Sequence, residues 1–330
     1  MTSVLDGYTQ RLTEIFRGAP NKHEAHYRSR EVLKEMAACG SALRAILERH
    51  LDRPGILNTR HYPVIGVDIE LNAYYGLVAN CWIPLPGRRT DITTKAIHHH
   101  GEMLLTTVTT FGPGYEHLTF TRPEVVDPDS ELFTMRALER EPHLLGHAAF
   151  VDAYVAHVPL YPAALTVTLA LWSHRSRTSW RDRLKRLPVW KGNEESLRRV
   201  LTRFGLGQAL DLKVVEYFDF YPAENGFRGM RERSEFARGP NTDYLFSLFH
   251  VLQKTGNQKL AAIIESHLGS AEIENRDTVE LLLRLLDQGR EIEARLSEGH
   301  FEQPHANFTR NDIERALGTV GSMPRALGAQ

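Results

Sequence analysis

The hydrophobic pattern of this 330-residue chain changes its period twice, and this change constrains the fold more than any other feature. Between residues 62 and 173, short runs rich in β-branched and aromatic side chains alternate with Gly and Pro. Many short strands separated by such turns are typical of an antiparallel barrel or sandwich. The predicted strands span residues 64–71, 76–85, 93–100, 104–110, 115–121, 148–157 and 165–173.

Helical periodicity flanks the strand-rich region on both sides. Apolar side chains recur every three to four residues over 4–51, and again over 241–256 and 278–296. We therefore predict an α+β chain in three parts: N-terminal helices in 1–61, an antiparallel β-barrel in 62–177 and a mostly helical region in 178–330. Because these apolar faces must be buried, we expect the helices to pack on the barrel and the chain to form a homodimer.

Two segments interrupt this simple division. The polar and charged segment 123–142 is predicted to form a loop or a short helix across the barrel. Residues 213–221 alternate between apolar and polar side chains, so an extra strand is predicted there although helical patterns surround it.

Composition excludes several classes of function. The chain has 40 basic and 41 acidic residues, and this balance argues against nucleic acid as a partner. The 2 cysteines, Cys39 and Cys81, provide neither a disulfide framework nor a Cys-rich zinc site. No apolar stretch reaches the length of a membrane span, and the N-terminus lacks the pattern of a signal peptide. We therefore expect a cytoplasmic protein that has no membrane partner.

The run His98-His99-His100 lies at the end of a predicted strand. Successive side chains on a strand point to opposite faces, so His98 and His100 share one face and His99 points to the other. Two imidazoles on one face can bind one transition metal, but a third ligand is needed to hold it. His157, at the end of the predicted strand 148–157, is the best candidate for that ligand.

Other readings of the histidines remain open. Three adjacent histidines also occur on exposed strands or turns that bind nothing. His117 is a candidate ligand or acid–base group, but it alternates with apolar residues and could face solvent instead. His143 and His147 have the spacing of a zinc-binding helix, although Pro142 and Gly146 oppose a regular helix there.

The sequence around the first histidines resembles the first motif of the cupin superfamily, in its cysteine dioxygenase-like branch. Ile83-Pro84-Leu85-Pro86-Gly87 leads into Ile97-His98-His99-His100-Gly101, and a second strand precedes the turn Phe111-Gly112-Pro113-Gly114. His157-Val158-Pro159-Leu160-Tyr161-Pro162, followed by the predicted strand 165–173, is similar to the second motif. The resemblance implies a cupin (jelly-roll) barrel in which His98, His100 and His157 match a three-His, non-haem iron site.

The chain also departs from that family. The usual cupin glutamate, four or five residues after the second histidine, is absent, and Glu102 could substitute for it. The family's Ser-x-His-x-Tyr would fall on Thr168, Ala170 and Trp172. No arginine occurs at 80–82, where the family binds a carboxylate. The resemblance therefore does not predict a simple cysteine dioxygenase.

These observations predict an enzyme that uses Fe(II) and O₂ to oxidise a small organic molecule. One alternative is a redox-neutral lyase, isomerase or hydrolase with Zn, Mn or Ni at the same site. Another is a non-catalytic ligand-binding cupin whose C-terminal helices contact a partner. The candidate catalytic residues are Glu102, His117 and Trp172, and the candidate substrate-binding residues are Trp82, Tyr154 and Arg175.

Overall fold

The computed structural model describes residues 4–60, 64–85, 87, 90–91, 93, 96–127, 130–174, 200, 215–221, 226–230, 239–269, 272–296 and 309–317. The α-helices in these ranges are α1 (Val4–Gly18), α2 (Lys22–Ala38), α3 (Gly40–Leu51), α4 (Asn241–Lys254), α5 (Ala261–Leu268), α6 (Arg276–Asp287) and α7 (Arg310–Leu317). Short 3₁₀ helices span Ile56–Asn58 and Gln258–Leu260.

Two antiparallel sheets form the centre of the molecule. Their strands are β1 (Val64–Leu71), β2 (Tyr75–Trp82), β3 (Ile97–His98), β4 (Leu105–Phe111), β5 (Glu116–Phe120), β6 (Glu124–Asp127), β7 (Leu132–Thr134), β8 (Ala137–Pro142), β9 (Ala148–Val151), β10 (His157–Pro159), β11 (Thr166–Ser173), β12 (Tyr217–Tyr221) and β13 (Gly226–Met230). One sheet has the order β1-β2-β11-β4-β9 and the other the order β6-β7-β13-β12-β3-β10-β5-β8. The predicted α+β class, an antiparallel barrel with flanking helices, is confirmed.

In the five-stranded sheet, successive side chains point alternately to an outer face that helices cover and to the interior of the barrel. On β11, Leu169 and Leu171 belong to the large apolar core that includes residues of the N-terminal helices and of α4 to α6. Ala170 and Trp172, on the opposite face, line an internal cavity. Thus the helices at both ends of the chain cover one face of the sheet, and the other face is left for the site.

The eight-stranded sheet is divided in the same way. Ile97, Leu118 and Val158 lie in a second apolar core, which also includes Ile313 of α7. The neighbouring positions on these strands carry histidines that face inward. Glycine is required at the turn before β5, where Gly112 has a φ of +85° and a Cβ would lie 2.0 Å from the Leu165 carbonyl oxygen.

The extra strand expected within 213–221 is present as β12. It pairs with β3, with Tyr217 opposite His98, and with β13 on its other side. Residues beyond the predicted barrel segment 62–177 therefore contribute a strand to the sheet that carries the histidines. The charged stretch 231–238 and the tail from residue 318 lie outside the described residues.

Three sequence predictions are wrong in detail. Segment 123–142 forms the strands β6, β7 and β8 at the two ends of the eight-stranded sheet, where an antiparallel strand need bury only one face and can carry polar side chains on the other. The run 148–157 is two strands in different sheets, and Tyr154, whose φ is +60°, breaks it. The helix predicted over 278–296 ends at Asp287, shortly before Gly289 adopts a φ of +64°.

Within the described residues, none of the helices is both long enough and apolar enough to cross a bilayer.

Candidate metal centre

Three histidines from two neighbouring strands converge inside the barrel. His98 lies directly opposite His157 in the register of β3 and β10, and His100 follows β3. The ring centroids of His98 lie 4.7 Å from His100 and 4.4 Å from His157. One ligand nitrogen from each residue lies within 4.8 Å of the others. The structure therefore brings together the three side chains that the sequence predicted as metal ligands.

Backbone carbonyl groups hold two of these rings in a defined orientation. His98 Nδ1 lies 2.9 Å from the Ala96 carbonyl oxygen, and His157 Nδ1 lies 3.2 Å from that of Val155. Because a carbonyl oxygen only accepts, each Nδ1 must carry the proton and donate it. The lone pair then belongs to Nε2, and this arrangement is typical of metal-binding histidines.

The nitrogen spacing fits a metal ion. His100 Nε2 and His157 Nε2 lie 3.1 Å apart. Two ligands at 2.0–2.1 Å from one ion are separated by about 3.0 to 3.4 Å at octahedral and tetrahedral angles. Buried imidazoles that are neutral can therefore donate lone pairs to one divalent ion here without a large rearrangement, so the residues fit such an ion.

His99 points to the opposite side of the strand, as alternation predicts. Its Nδ1 accepts a hydrogen bond of 2.9 Å from the Gly101 N–H. Its ring packs against Tyr154 and Phe218, and Phe218 belongs to the second apolar core. His99 thus lies in the outer core of the sheet and contributes nothing to the converging set.

A cavity of about 40 Å³ adjoins His100 and His157. This volume accommodates about three water-sized groups. Its lining is largely apolar and aromatic: Asn80, Trp82, His100, Leu105, Thr107, Tyr115, His117, His143, Val151, His157, Pro159, Ala170 and Trp172. The Trp172 ring meets His100 edge-on, with centroids 4.2 Å apart. The Trp82 indole donates to Thr168 Oγ1 at 2.8 Å, which fixes its ring against the cavity.

Other polar side chains of the cavity lining can donate or accept protons. His117 and His143 are buried, with ring centroids 4.7 Å apart, and Tyr115 packs on His143 at 4.9 Å. Burial, reinforced by the neighbouring His117, holds the pKa of His143 well below its usual value. Burial raises the pKa of the Tyr115 phenol, so this group stays protonated at neutral pH.

The predicted site residues divide into two groups. Trp82, His117 and Trp172 line the cavity. The solvent-facing alternative for His117 is wrong, because the apolar partners that alternate with it pack on the outer face of the sheet and leave His117 on the inner one.

Glu102 and Tyr154 are not brought to the cavity. Among the described residues, Glu102 is neither in the lining nor in a converging ligand group, and its Oε1 accepts a 3.3 Å hydrogen bond from the Tyr154 hydroxyl. Tyr154 itself contacts His99 on the outer side of β3. Arg175 lies outside the described residues.

Sequence reasoning missed several members of the lining. Thr107, Tyr115 and Asn80 carry no spacing that marks them before the barrel is assembled. His143 was considered only as part of a helix, whereas it follows strand β8. The pair Glu141 and His143 has the same two-residue spacing as His98 and His100, and this signal could have been used.

Comparison with known proteins gives structural similarity alone. No family model matches the sequence and no curated protein matches it. Solved structures that match include an RmlC-like cupin from Shewanella frigidimarina, with 12% identity over 36% of this chain and 81% of that one, and a TM-score of 0.22. A cupin-2 domain from Rhodospirillum rubrum matches with 11% identity over 46% of this chain and 84% of that one, and a TM-score of 0.22.

A third match is the polyketide cyclase RemF from Streptomyces resistomycificus. It has 13% identity over 34% of this chain and 64% of that one, with a TM-score of 0.21. The cupin superfamily and its cysteine dioxygenase-like branch therefore stay predictions from the sequence motifs. Similarity at this level carries no conclusion about activity.

Proposed function

We propose that the protein is an enzyme that binds one divalent metal ion, Fe(II), at His98, His100 and His157 and oxidises a small organic molecule with O₂. The observation that carries this proposal is the 3.1 Å approach of His100 Nε2 to His157 Nε2 beside His98. The backbone hydrogen bonds on His98 and His157 direct their lone pairs into the same space.

Burial makes a purely structural role for the three rings costly. His98 and His157 are 1% and 3% exposed. Packing imidazole nitrogens together inside a barrel stabilises the fold less than apolar side chains of similar size would. A cluster of this kind is therefore better explained by a ligand that the nitrogens share than by folding alone.

Neutral imidazoles would leave the full positive charge on a bound ion. A three-His set also leaves coordination positions open. Bound Fe(II) would supply the one-electron chemistry that activation of O₂ requires. The tryptophans and apolar lining of the cavity would exclude bulk water from the reacting molecule and would orient it.

The chain's own acid–base groups would act from positions beside the three histidines in the cavity lining. His117 is buried and lines the cavity together with Tyr115. Within reach of a bound molecule, His117 could accept a proton, and the Tyr115 hydroxyl could donate a hydrogen bond to an oxygen atom. Glu102 and Tyr154, which lie elsewhere, have no part in this arrangement.

The same groups favour one second candidate function. A lyase or isomerase with Zn, Mn or Ni at the three histidines would need a proton acceptor and a donor beside the metal, and the facing pair of His117 and Tyr115 could serve. The expected homodimer, the cytoplasmic location and the substrate-binding role of Arg175 stay predictions in either case.

An experiment with nitric oxide separates the two candidates. Nitric oxide resembles O₂ and binds Fe(II) only where a coordination position is open. The Fe(II)-loaded protein should give a high-spin iron–nitrosyl EPR signal and should consume O₂ with small thiols or other chelating organic molecules. The His100→Ala variant should show neither, and the His99→Asn variant should show both. A protein that gives the nitrosyl signal but consumes no O₂, and that converts substrates with Zn(II), would support the second candidate instead.

A further inference from the structure

A second group of ligand-type side chains lies beside the three histidines, on the next strands of the same sheet. His117, Glu141 and His143 each offer one ligand atom, and these atoms lie within 4.8 Å of one another. His117 and His143 line the cavity together with His100 and His157. The proposed function uses His117 only as an acid–base group and leaves Glu141 and His143 without a role.

Strand pairing places the three side chains on one face of the sheet. His117 on β5 lies directly opposite Glu141 on β8. The His143 N–H donates to the Tyr115 carbonyl oxygen at 2.8 Å, so the pairing continues past the end of β8. Since residues two apart on a strand share a face, His143 points to the same side as Glu141.

His143 is the strongest sign of a ligand. It is 2% exposed, and its Nδ1 lies 3.4 Å from Thr107 Oγ1. Its Nε2 is fully buried and has no hydrogen-bond partner. A buried polar atom without a partner is costly, so its retention needs an explanation. A lone pair on this nitrogen could be shared with a cation.

Glu141 is held so that one oxygen faces His143. Its Oε1 accepts a 2.5 Å hydrogen bond from His147 Nε2. Its Oε2 lies 3.8 Å from His143 Nε2. Two ligands of one tetrahedral ion are about 3.4 Å apart, so a small rotation of the carboxylate would bring both atoms to bonding distance.

We propose that His117, Glu141 and His143 bind a second divalent metal ion, of the zinc class, beside the three-His centre on the inner face of the same sheet. Two imidazoles and one carboxylate are a ligand set that suits Zn(II) and leaves a position open. The single carboxylate lowers the net charge of the bound ion, whereas the three-His set leaves that charge unchanged. The two sites therefore differ in the metals that they prefer.

The two sites are neighbours within the barrel. The His117 ring meets the His157 ring edge-on, with centroids 5.1 Å apart. The 40 Å³ cavity is lined by residues of both sites, so a molecule in it would lie against both ions. This arrangement would bind a small ligand with two donor groups, one directed to each metal.

Metal stoichiometry tests the second site directly. The full-length apo protein is titrated with Co(II), followed by its visible absorption, and metal content is measured after dialysis against Zn(II). The unmodified chain should bind two ions. His143→Ala and Glu141→Gln should each bind one, with the second at least about 100-fold weaker. Gln at 141 keeps an oxygen for His147, so the fold should survive and circular dichroism should match that of the unmodified protein.

Matched variants separate this site from the first. Glu139→Gln alters the same strand outside the ligand group and should bind two ions. His98→Ala should lose the first ion and keep the second, so one ion that survives in His98→Ala and disappears in His143→Ala would support this site even if the three-His proposal failed. Equal metal content in the unmodified chain, Glu141→Gln and Glu139→Gln would overturn it. Loss of all metal in His117→Ala would also overturn it, because His117 would then belong to a single shared site.

Discussion

His98 and His157 face each other directly across the antiparallel pair β3 and β10, and the Nδ1 of each bonds to the carbonyl oxygen two residues before it. This register is what makes the two rings converge. A shift of one residue would turn either ring to the outer core, where His99 now lies. The metal centre therefore depends on strand pairing as much as on the identity of the histidines.

Trp172 should matter more for turnover than for metal binding. Its ring packs on His100 and lines the cavity, but its indole is not among the converging nitrogens. We expect Trp172→Ala to lower kcat/KM by about 10- to 100-fold, because the bound molecule loses its positioning surface. Metal content should stay near that of the unmodified protein, and Trp172→Phe should recover most activity. A variant that loses its metal and its activity together would contradict this role.

Gly114 should tolerate no side chain. Its φ is +87°, and a Cβ there would lie 2.0 Å from the His143 carbonyl oxygen. Gly146 also has a positive φ, of +72°, but nothing lies within 4 Å of its Cβ position. In urea unfolding, Gly146→Ala should cost about 1 kcal/mol for backbone strain alone, and Gly114→Ala at least about 3 kcal/mol. Equal costs would show that the close approach to His143 does not constrain the turn.

His50 should make the fold sensitive to acid. Burial, together with the nearby Arg53, lowers the pKa of His50 to about 4, and its Nε2 lies in a hydrogen bond of 3.0 Å with the Tyr244 hydroxyl. In the unfolded chain the pKa of this histidine is near 6.5. Below that pH the unfolded chain therefore binds a proton that the folded chain does not bind. The free energy of unfolding should therefore fall between pH 6.5 and 4, by about 2 kcal/mol at pH 5 from this group.

Urea unfolding of the unmodified protein and of His50→Gln, at pH 7 and pH 5, measures this effect. Gln can still accept from Tyr244 but does not titrate. The variant should lose less stability between the two pH values. Identical losses in both proteins would assign the acid sensitivity to other groups.

Removal of the chain after Ser173 should abolish metal binding. Strand β12 pairs with β3, with Tyr217 opposite His98 and Phe218 opposite Ile97. The Tyr217 ring also stacks on His98, with centroids 5.7 Å apart. A fragment that ends at Ser173 would leave an edge of β3 exposed, and we expect it to be insoluble or metal-free. A soluble fragment with full metal content would show that the later chain is an independent module.

Local alternation in the sequence predicted the barrel and the shared face of His98 and His100, whereas His157 was identified from its place at the end of a later strand and from the resemblance to the second cupin motif. Leu169 and Trp172 lie on opposite faces of the sheet because they are three positions apart on β11, where successive side chains alternate between the faces. The split of 148–157 into two strands was not predictable in this way, since it depends on the positive φ of Tyr154. Sequence could not give the direction of the Glu102 side chain either, because proximity to His100 along the chain says nothing about direction once the strand has ended.

The second group of ligand-type side chains was not predicted from the sequence, for a related reason. His117, Glu141 and His143 come from strands that pair only in the assembled sheet. The polar composition of 123–142 is typical of a loop. It therefore gave no indication of the edge strand β8, which carries a ligand-type side chain on its inner face. Tertiary pairing, rather than local pattern, decides such positions.

Metal analysis of three variants tests the central claim most directly. His98→Ala and His157→Ala, purified without a His-tag, should each lose the ion of the three-His centre, because two remaining imidazoles bind far more weakly than three. His99→Asn should keep that ion, since an amide oxygen can still accept from the Gly101 N–H and the side chain points away from the cavity. Equal metal content in all three variants would contradict the assignment of His98, His100 and His157 as ligands.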